Sequence, residues 1–186
     1  MQDAFDLCRK ILLKSPEDKD ILKLGGVAAF RLGDEKRAEM LLQGAARIDP
    51  KDAEVQYNLG VTLQAVGKGA EAEKSFSAAL DADPMRVDAA NNLGVVRQKS
   101  GRLIEALEAY DVALSIDKDY ISAHSNKGSV LRLLGRREEA EASLRKTLEM
   151  DPENIEAHNN LGCLLHDMGR LKDAELVLRR ALHLDP

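Results

Sequence analysis

Tryptophan is absent from the 186-residue chain, and three Phe and three Tyr residues bring the aromatic content to only 3%. So few rings leave little for stacking on nucleic-acid bases. Basic side chains are also outnumbered, with 27 Lys and Arg against 32 Asp and Glu and a net charge of −5. A broad phosphate-binding surface is therefore not expected, and nucleic acid is not the predicted partner.

Long hydrophobic runs and cysteines are scarce as well. No apolar run approaches the roughly 18 residues that span a bilayer, and no basic-then-apolar leader opens the chain. Cys8 and Cys163 lie too far apart for a disulfide framework or for the close pairing of a zinc knuckle. We therefore expect reduced thiols, a cytoplasmic location and no membrane partner.

The few prolines that are present mark an internal repeat. All five follow one another at intervals of 34 residues or twice 34, and the one skipped slot holds Lys118. Asp precedes four of these prolines and also precedes Lys118. Two glycine series and one alanine series share the period of 34: Gly26, Gly60, Gly94, Gly128 and Gly162; Gly33, Gly67, Gly101, Gly135 and Gly169; and Ala38, Ala72, Ala106, Ala140 and Ala174. The chain is therefore a repeat array.

Each interval predicts two helices. Apolar residues recur at helical spacing over residues 53–66, and Gly67 ends this helix because glycine adopts the left-handed conformation at little cost. A second helix is predicted over residues 70–82 and ends at Asp83, since the residue before a proline avoids the helical region.

Glycine inside the first helix predicts close packing within the hairpin. Gly60 is unfavourable in a helix interior by roughly 0.5–1 kcal/mol relative to Ala. We therefore expect the second helix to approach it closely, with Ala72 as the small partner. Neither helix can bury its apolar face alone, so the repeats must stack.

These residues resemble the tetratricopeptide repeat family, whose 34-residue hairpins carry Leu-Gly at positions seven and eight, Ala at position twenty and Pro at position thirty-two. Leu59–Gly60, Leu93–Gly94 and Leu161–Gly162 match the first pair. The resemblance implies an all-α fold, a right-handed α-solenoid (superhelix) of antiparallel helix-turn-helix hairpins. It predicts a single array over residues 1–186: a half repeat of second helix and turn at 1–18, then repeats 19–52, 53–86, 87–120, 121–154 and 155–186.

The resemblance also implies that the first helices line a concave groove that binds a protein or peptide. The sixth position of each repeat faces this groove, and it holds asparagine in four repeats, whereas the first repeat has Leu24. The fifth position adds two more, so the predicted peptide-binding residues are Asn58, Asn91, Asn92, Asn126, Asn159 and Asn160.

Asparagine suits a peptide backbone because its amide both donates and accepts a hydrogen bond. Packed helices lie roughly 8–10 Å apart, and three residues of extended chain span at most about 10 Å. One asparagine per repeat therefore matches an extended peptide held every few residues. The alternative is duplication, in which the copies kept an ancestral asparagine without using it.

A closer resemblance concerns the segments Ala123–Asn126 and Ala157–Gly162, which are similar to repeats that precede the catalytic region of O-linked N-acetylglucosamine transferases. It implies an alternative function as the substrate-recognition arm of a larger enzyme.

No catalytic, cofactor-binding or metal-binding residue is assigned. His124 and His158 occupy the same packing slot, which favours space filling over metal binding. Cys163 and His166 share a helix face, but no further ligand completes a site. The chain is therefore predicted to be a non-catalytic protein-protein interaction scaffold. The half hairpin at one end and the apolar last helix at the other predict either a fragment of a longer protein or end-to-end self-association through uncapped termini.

Overall fold

The computed structural model describes residues 2–184; Met1, Asp185 and Pro186, which the predicted repeats include, lie outside the described residues. Within residues 2–184 all regular structure is helical, which confirms the predicted all-α class of helical hairpins. The helices are α1 (Gln2–Leu12), α2 (Lys19–Arg31), α3 (Glu35–Ile48), α4 (Ala53–Ala65), α5 (Gly69–Ala82), α6 (Val87–Lys99), α7 (Leu103–Ile116), α8 (Ile121–Leu133), α9 (Arg137–Met150), α10 (Ile155–Asp167) and α11 (Leu171–Leu184).

The chain forms two compact units, Met1–Val96 and Arg97–Pro186. In the first unit, each helix from α1 to α5 packs against the next, and α2 also contacts α4. In the second unit, each helix from α7 to α11 packs against the next, and α8 contacts α10. Each unit is therefore built from hairpins whose first helices are neighbours. The exact limits of the repeats stay a prediction.

The turn inside each hairpin depends on a left-handed glycine. Gly67 has a φ of 79°, as the sequence predicts, and the four equivalent glycines have φ values of 73–78°. The helices on either side, α4 and α5, begin and end within one residue of the predicted limits. The local sequence is therefore sufficient to set this turn.

The turn between hairpins depends on aspartate more generally than on proline. In four of these turns, an aspartate carboxylate accepts the backbone N–H two residues further along at 3.0–3.2 Å: Asp49, Asp83, Asp117 and Asp151. This Asx-type bond imitates a backbone turn. Asp117 makes it although Lys118 replaces the proline. Proline therefore adds rigidity to a turn that the carboxylate already closes.

Close packing inside the hairpin is confirmed, but its partner differs from the expectation. A Cβ atom at Gly60 would lie 2.7 Å from the ring of Phe76, and the nearest atoms belong to that ring rather than to Ala72. Equivalent glycines meet a leucine in the same way, Gly128 against Leu144 at 2.7 Å. The glycine therefore makes room for the large side chain that fills the hairpin core, and at Gly26 and Gly128 the backbone oxygens of Ala38 and Ala140 also lie 3.4 Å from the added Cβ.

At the fourth position of the repeat, three side chains contact a backbone carbonyl, an interaction that the repeat pattern does not predict. His124 and His158 each place Nε2 2.9 Å from a carbonyl oxygen six residues earlier, in Lys118 and Pro152. Gln56 donates from Nε2 to the equivalent carbonyl at 3.0 Å. These side chains therefore tie the first helix of a hairpin to the turn before it.

Candidate functional site

The sixth-position asparagines lie in the middle of four first helices, Asn58 on α4, Asn92 on α6, Asn126 on α8 and Asn160 on α10. All four side chains are half-buried. Asparagine lowers helix stability relative to Ala, Lys or Glu, so helix propensity does not account for its presence there. Each of these residues is therefore partly accessible from outside the chain.

The two fifth-position asparagines occupy different environments. Asn91 is only 6% exposed and is therefore buried. Asn159, in the equivalent slot of α10, is exposed. Residues that the repeat makes equivalent in sequence are therefore not equivalent as surface groups, and Asn159 is the more accessible amide.

Asn58 lines a cavity of about 210 Å³ in the first unit, where α2, α3 and α4 meet. The hydroxyl of Thr62 donates to the backbone oxygen of Asn58 at 2.9 Å. The cavity joins a mostly apolar lining to the Asn58 amide and one guanidinium; its other residues are Val27, Phe30, Arg31, Leu42, Tyr57, Val61 and Thr62. A small apolar group next to a polar backbone would match this lining.

Asn92 is linked to the same region through Tyr57. Its Nδ2 donates to the Tyr57 hydroxyl at 3.4 Å, a long hydrogen bond between α6 and α4. The Tyr57 ring lies 6.0 Å from the Phe76 ring, tilted by 51°, and the Arg86 guanidinium lies 5.2 Å from the Tyr57 ring centre. These contacts hold Tyr57 in place between the two asparagine-bearing helices.

Charge on the first helices is largely paired. In the first unit, Lys23 on α2 donates to Glu54 on α4 at 2.6 Å, and this hydrogen bond raises the pKa of Lys23 above its ordinary value. In the second unit, Arg132 on α8 lies 3.4 Å from Asp167 on α10. Each of these pairs neutralises a basic side chain of a first helix, so neither Lys23 nor Arg132 acts as an isolated charge.

Two aromatic residues of the site were missed from the sequence. Phe30 and Tyr57 line the Asn58 cavity and occupy the twelfth and fifth positions of their repeats, which the tetratricopeptide resemblance predicts to face the groove. The repeat position of each residue was enough to predict that it faces the groove. Neither residue recurs in the other repeats, however, so the repeat pattern alone does not single them out.

The described residues contain neither a cluster of metal ligands nor a helix suited to crossing a membrane. Residues 2–184 contain no group of three or more His, Cys, Asp or Glu side chains arranged to hold a metal ion. Cys163 is exposed, and Nδ1 of His166 lies 3.7 Å from the Asp167 carboxylate. Among the helices of this range, none has both the length and the apolar character that crossing a membrane requires.

Two antiparallel helices per 34 residues, stacked with their first helices adjacent, define a helical-hairpin repeat protein. Two family models, each described as tetratricopeptide repeat, match residues 57–121 and 119–186. The chain belongs to the tetratricopeptide repeat family. No curated protein matches the sequence significantly.

Solved structures of tetratricopeptide repeat proteins superpose on the chain. MamA from Desulfovibrio magneticus has a TM-score of 0.80 and 22% identity over 98% of this chain and 96% of its own. YrrB, described as a TPR protein with an unusual peptide-binding site, has a TM-score of 0.78 and 22% identity over 96% and 92%. TTC0263 from Thermus thermophilus has a TM-score of 0.69 and 26% identity over 90% and 92%.

Proposed function

We propose that the chain is a non-catalytic scaffold that binds an extended segment of a partner protein along the first helices of its hairpins. The observation that carries this proposal is the half-buried asparagine at one fixed position of α4, α6, α8 and α10. Each of the two units contributes two such helices, so each unit alone offers a pair of amides to a ligand.

The chemistry of the amide supports a peptide backbone as the ligand. A carboxamide can accept from a backbone N–H and donate to a backbone carbonyl, whereas Lys and Arg can only donate, and in an ion pair their donors are already engaged. Binding of this type depends little on the ligand's side chains. The peptide-binding site named for YrrB is consistent with this use of the fold, although the likeness to YrrB concerns the fold.

The Asn58 cavity supports one further feature of the ligand. Its volume of about 210 Å³ and its mainly apolar lining suit a single apolar side chain next to the bound backbone. The Arg31 guanidinium at the same cavity would favour a neighbouring carboxylate. The proposed ligand is therefore an extended peptide with one apolar anchor.

The proposed partner is a cytoplasmic protein. Nucleic acid is disfavoured as a partner because the net charge of the chain is −5. The alternative, a substrate-recognition arm of an O-GlcNAc-transferase-like enzyme, uses the same asparagines. It is distinguished by whether the natural polypeptide also contains a glycosyltransferase domain.

The test compares a variant that lacks three of the asparagines with a control variant that lacks a glutamine amide elsewhere in the chain. Peptides selected on the wild-type chain from a random phage library are labelled with fluorescein, and their dissociation constants are measured by fluorescence anisotropy. The triple variant Asn92→Ala, Asn126→Ala and Asn160→Ala is expected to bind about tenfold or more weakly, since each lost hydrogen bond contributes roughly 0.5–1.5 kcal/mol. Gln43→Ala removes a partly buried amide from α3, a second helix, and should leave affinity unchanged.

Circular dichroism must show that both variants remain helical with cooperative unfolding. Wild-type affinity in a folded triple variant would overturn the proposal and leave duplication as the explanation of the repeated asparagine.

A further inference from the structure

A trough lies in the first unit on the side of the second helices, away from the asparagines. Helices α1 and α3 both pack around α2, and two adjoining cavities of about 820 and 160 Å³ lie along them. The two cavities share Leu12, Met40 and Leu41, so they adjoin along the same side chains. The larger cavity alone, at about 820 Å³, lies within the range of about 300–1,000 Å³ that is usual for ligand sites.

The trough is lined by apolar side chains that remain accessible. Met40 is 61% exposed and Ile48 is 45% exposed, and both line the larger cavity with Leu22. A contiguous apolar surface of this kind is unusual on a soluble domain unless something covers it. The flexible Met40 side chain can adapt to the shape of an occupant.

Glycine at one position opens the trough. Gly44 lies on its floor, where the equivalent residues of the later repeats are Ala78, Val112, Lys146 and Arg180. A Cβ atom added at Gly44 would lie 3.5 Å from Leu22, an ordinary contact, so close packing does not require glycine here. This separates Gly44 from Gly60, where packing does require it.

The walls of the trough favour a helical occupant. Both walls are α-helices, whose backbone groups already bond within the helix and offer nothing to an extended strand. The occupant must therefore satisfy its own backbone, as a helix does. From Arg37 to Ile48 the α3 wall rises by about 16 Å at 1.5 Å per residue, which equals roughly three turns of a bound helix.

Charge at the rim favours an acidic occupant. Arg9, Arg37 and Arg47 line the two cavities, against the single acid Glu17. Arg37 lies 3.3 Å from Asp34 and also stacks 5.3 Å from the centre of the Phe5 ring. Within residues 2–184, Arg9 and Arg47 form no ion pair. The net charge of the chain is −5, so three arginines on one rim do not reflect a generally basic surface.

We propose that this trough is a second binding site, which takes an amphipathic helix of a partner protein with apolar residues on one face and carboxylates beside them. The apolar face would enter between α1 and α3, and the carboxylates would meet Arg9 and Arg47. The site is independent of the asparagine face and does not rest on the function proposed above.

The test uses two designed peptides of about 15 residues. Both carry Leu at every third or fourth position and a fluorescein label, and one has Glu where the other has Lys. By fluorescence anisotropy at low salt, the Glu peptide should bind the wild-type chain about tenfold more tightly than the Lys peptide, and added salt should reduce the difference. The double variant Arg9→Glu and Arg47→Glu should reverse the preference.

Shape is tested separately from charge. Gly44→Val places on the trough floor the residue that Val112 supplies in an equivalent slot, and it should weaken the Glu peptide about tenfold while the chain stays folded by circular dichroism. Arg137→Glu, an exposed arginine of α9 in the other unit, is the matched control and should have no effect. The triple asparagine variant should bind the Glu peptide normally, so failure of one site is distinguished from failure of the other.

Equal binding of the two peptides, or unchanged binding in folded Gly44→Val, would overturn the proposal. Light scattering adds one more outcome. A concentration-dependent dimer that Gly44→Val dissociates would assign the trough to a second copy of the chain and overturn the proposed partner.

Discussion

Replacing Lys118 by proline tests the inference that the aspartate already sets the turn between hairpins. Proline fixes its own φ, lacks an N–H and requires extended backbone in the residue before it. Asp117 has φ −133° and ψ 102°, close to the φ −139° and ψ 91° of Asp83, which precedes a proline. Within residues 2–184 the backbone N–H of Lys118 makes no hydrogen bond. The extended backbone of Asp117 and the unbonded N–H of Lys118 therefore meet two of the conditions that proline imposes on this turn.

The expected gain comes from the unfolded state. Proline at a compatible position restricts the unfolded chain and stabilises the fold by about 0.4–1 kcal/mol. For a chain of this length, 1 kcal/mol shifts Tm by about 2–4 °C, so Lys118→Pro should raise Tm by roughly 1–4 °C. The His124 ring can keep its contact with the carbonyl of residue 118, as His158 does with the carbonyl of Pro152.

The assay is thermal and urea unfolding followed by circular dichroism at neutral pH, with a control one residue further along. The backbone N–H of Asp119 donates to the Asp117 carboxylate at 3.0 Å, so Asp119→Pro removes this bond and should destabilise by about 1 kcal/mol or more. A lower Tm for Lys118→Pro would refute the reasoning, because it would mean that this turn differs from the proline-containing ones.

Three further tests rest on single contacts or exposed side chains. His158→Ala loses the bond to the Pro152 carbonyl and should reduce the free energy of unfolding by about 1 kcal/mol. His158→Gln, which copies the glutamine of the second repeat, should retain most of this free energy. Equal losses for the two variants in urea unfolding would contradict this expectation. Gly60→Ala forces a methyl group to within 2.7 Å of the Phe76 ring and should destabilise by about 1–2 kcal/mol, despite the better helix propensity of Ala; an unchanged urea midpoint would show that the ring yields freely. Leu176 is 72% exposed on α11, so Leu176→Lys should reduce the predicted self-association in light scattering with little change in stability; a wild-type chain that is monomeric at high concentration counts against that association.

Local features of the fold could be predicted from the sequence because their causes lie within a few residues. Gly67 ends a helix in the left-handed conformation whatever surrounds it, and Asp83 before a proline cannot continue a helix. The period of 34 residues then extends each local conclusion to the other repeats. For the same reason the sixth-position asparagines could be placed on the first helices from the order of residues alone.

Contacts between helices could not be predicted in the same way. Gly60 indicated close approach, but the choice between Ala72 and Phe76 depends on how two helices rotate against each other. Asn91 and Asn159 share a slot, yet one is interior and the other is on the surface, because burial depends on the neighbouring helix rather than on the slot.

The sequence by itself determined that this protein is an array of helical hairpins, since the period, the turn residues and the helical spacing are all local and repeated. Only the tertiary structure decided which side chains line open space, such as Tyr57 at the Asn58 cavity and Gly44 at the trough between α1 and α3. The Asn58 cavity exists because residues that are distant in sequence leave space between them when they pack. The trough exists because Gly44 is smaller than the residues at the same position of the later repeats. The repeated residues alone therefore do not predict where these surfaces lie.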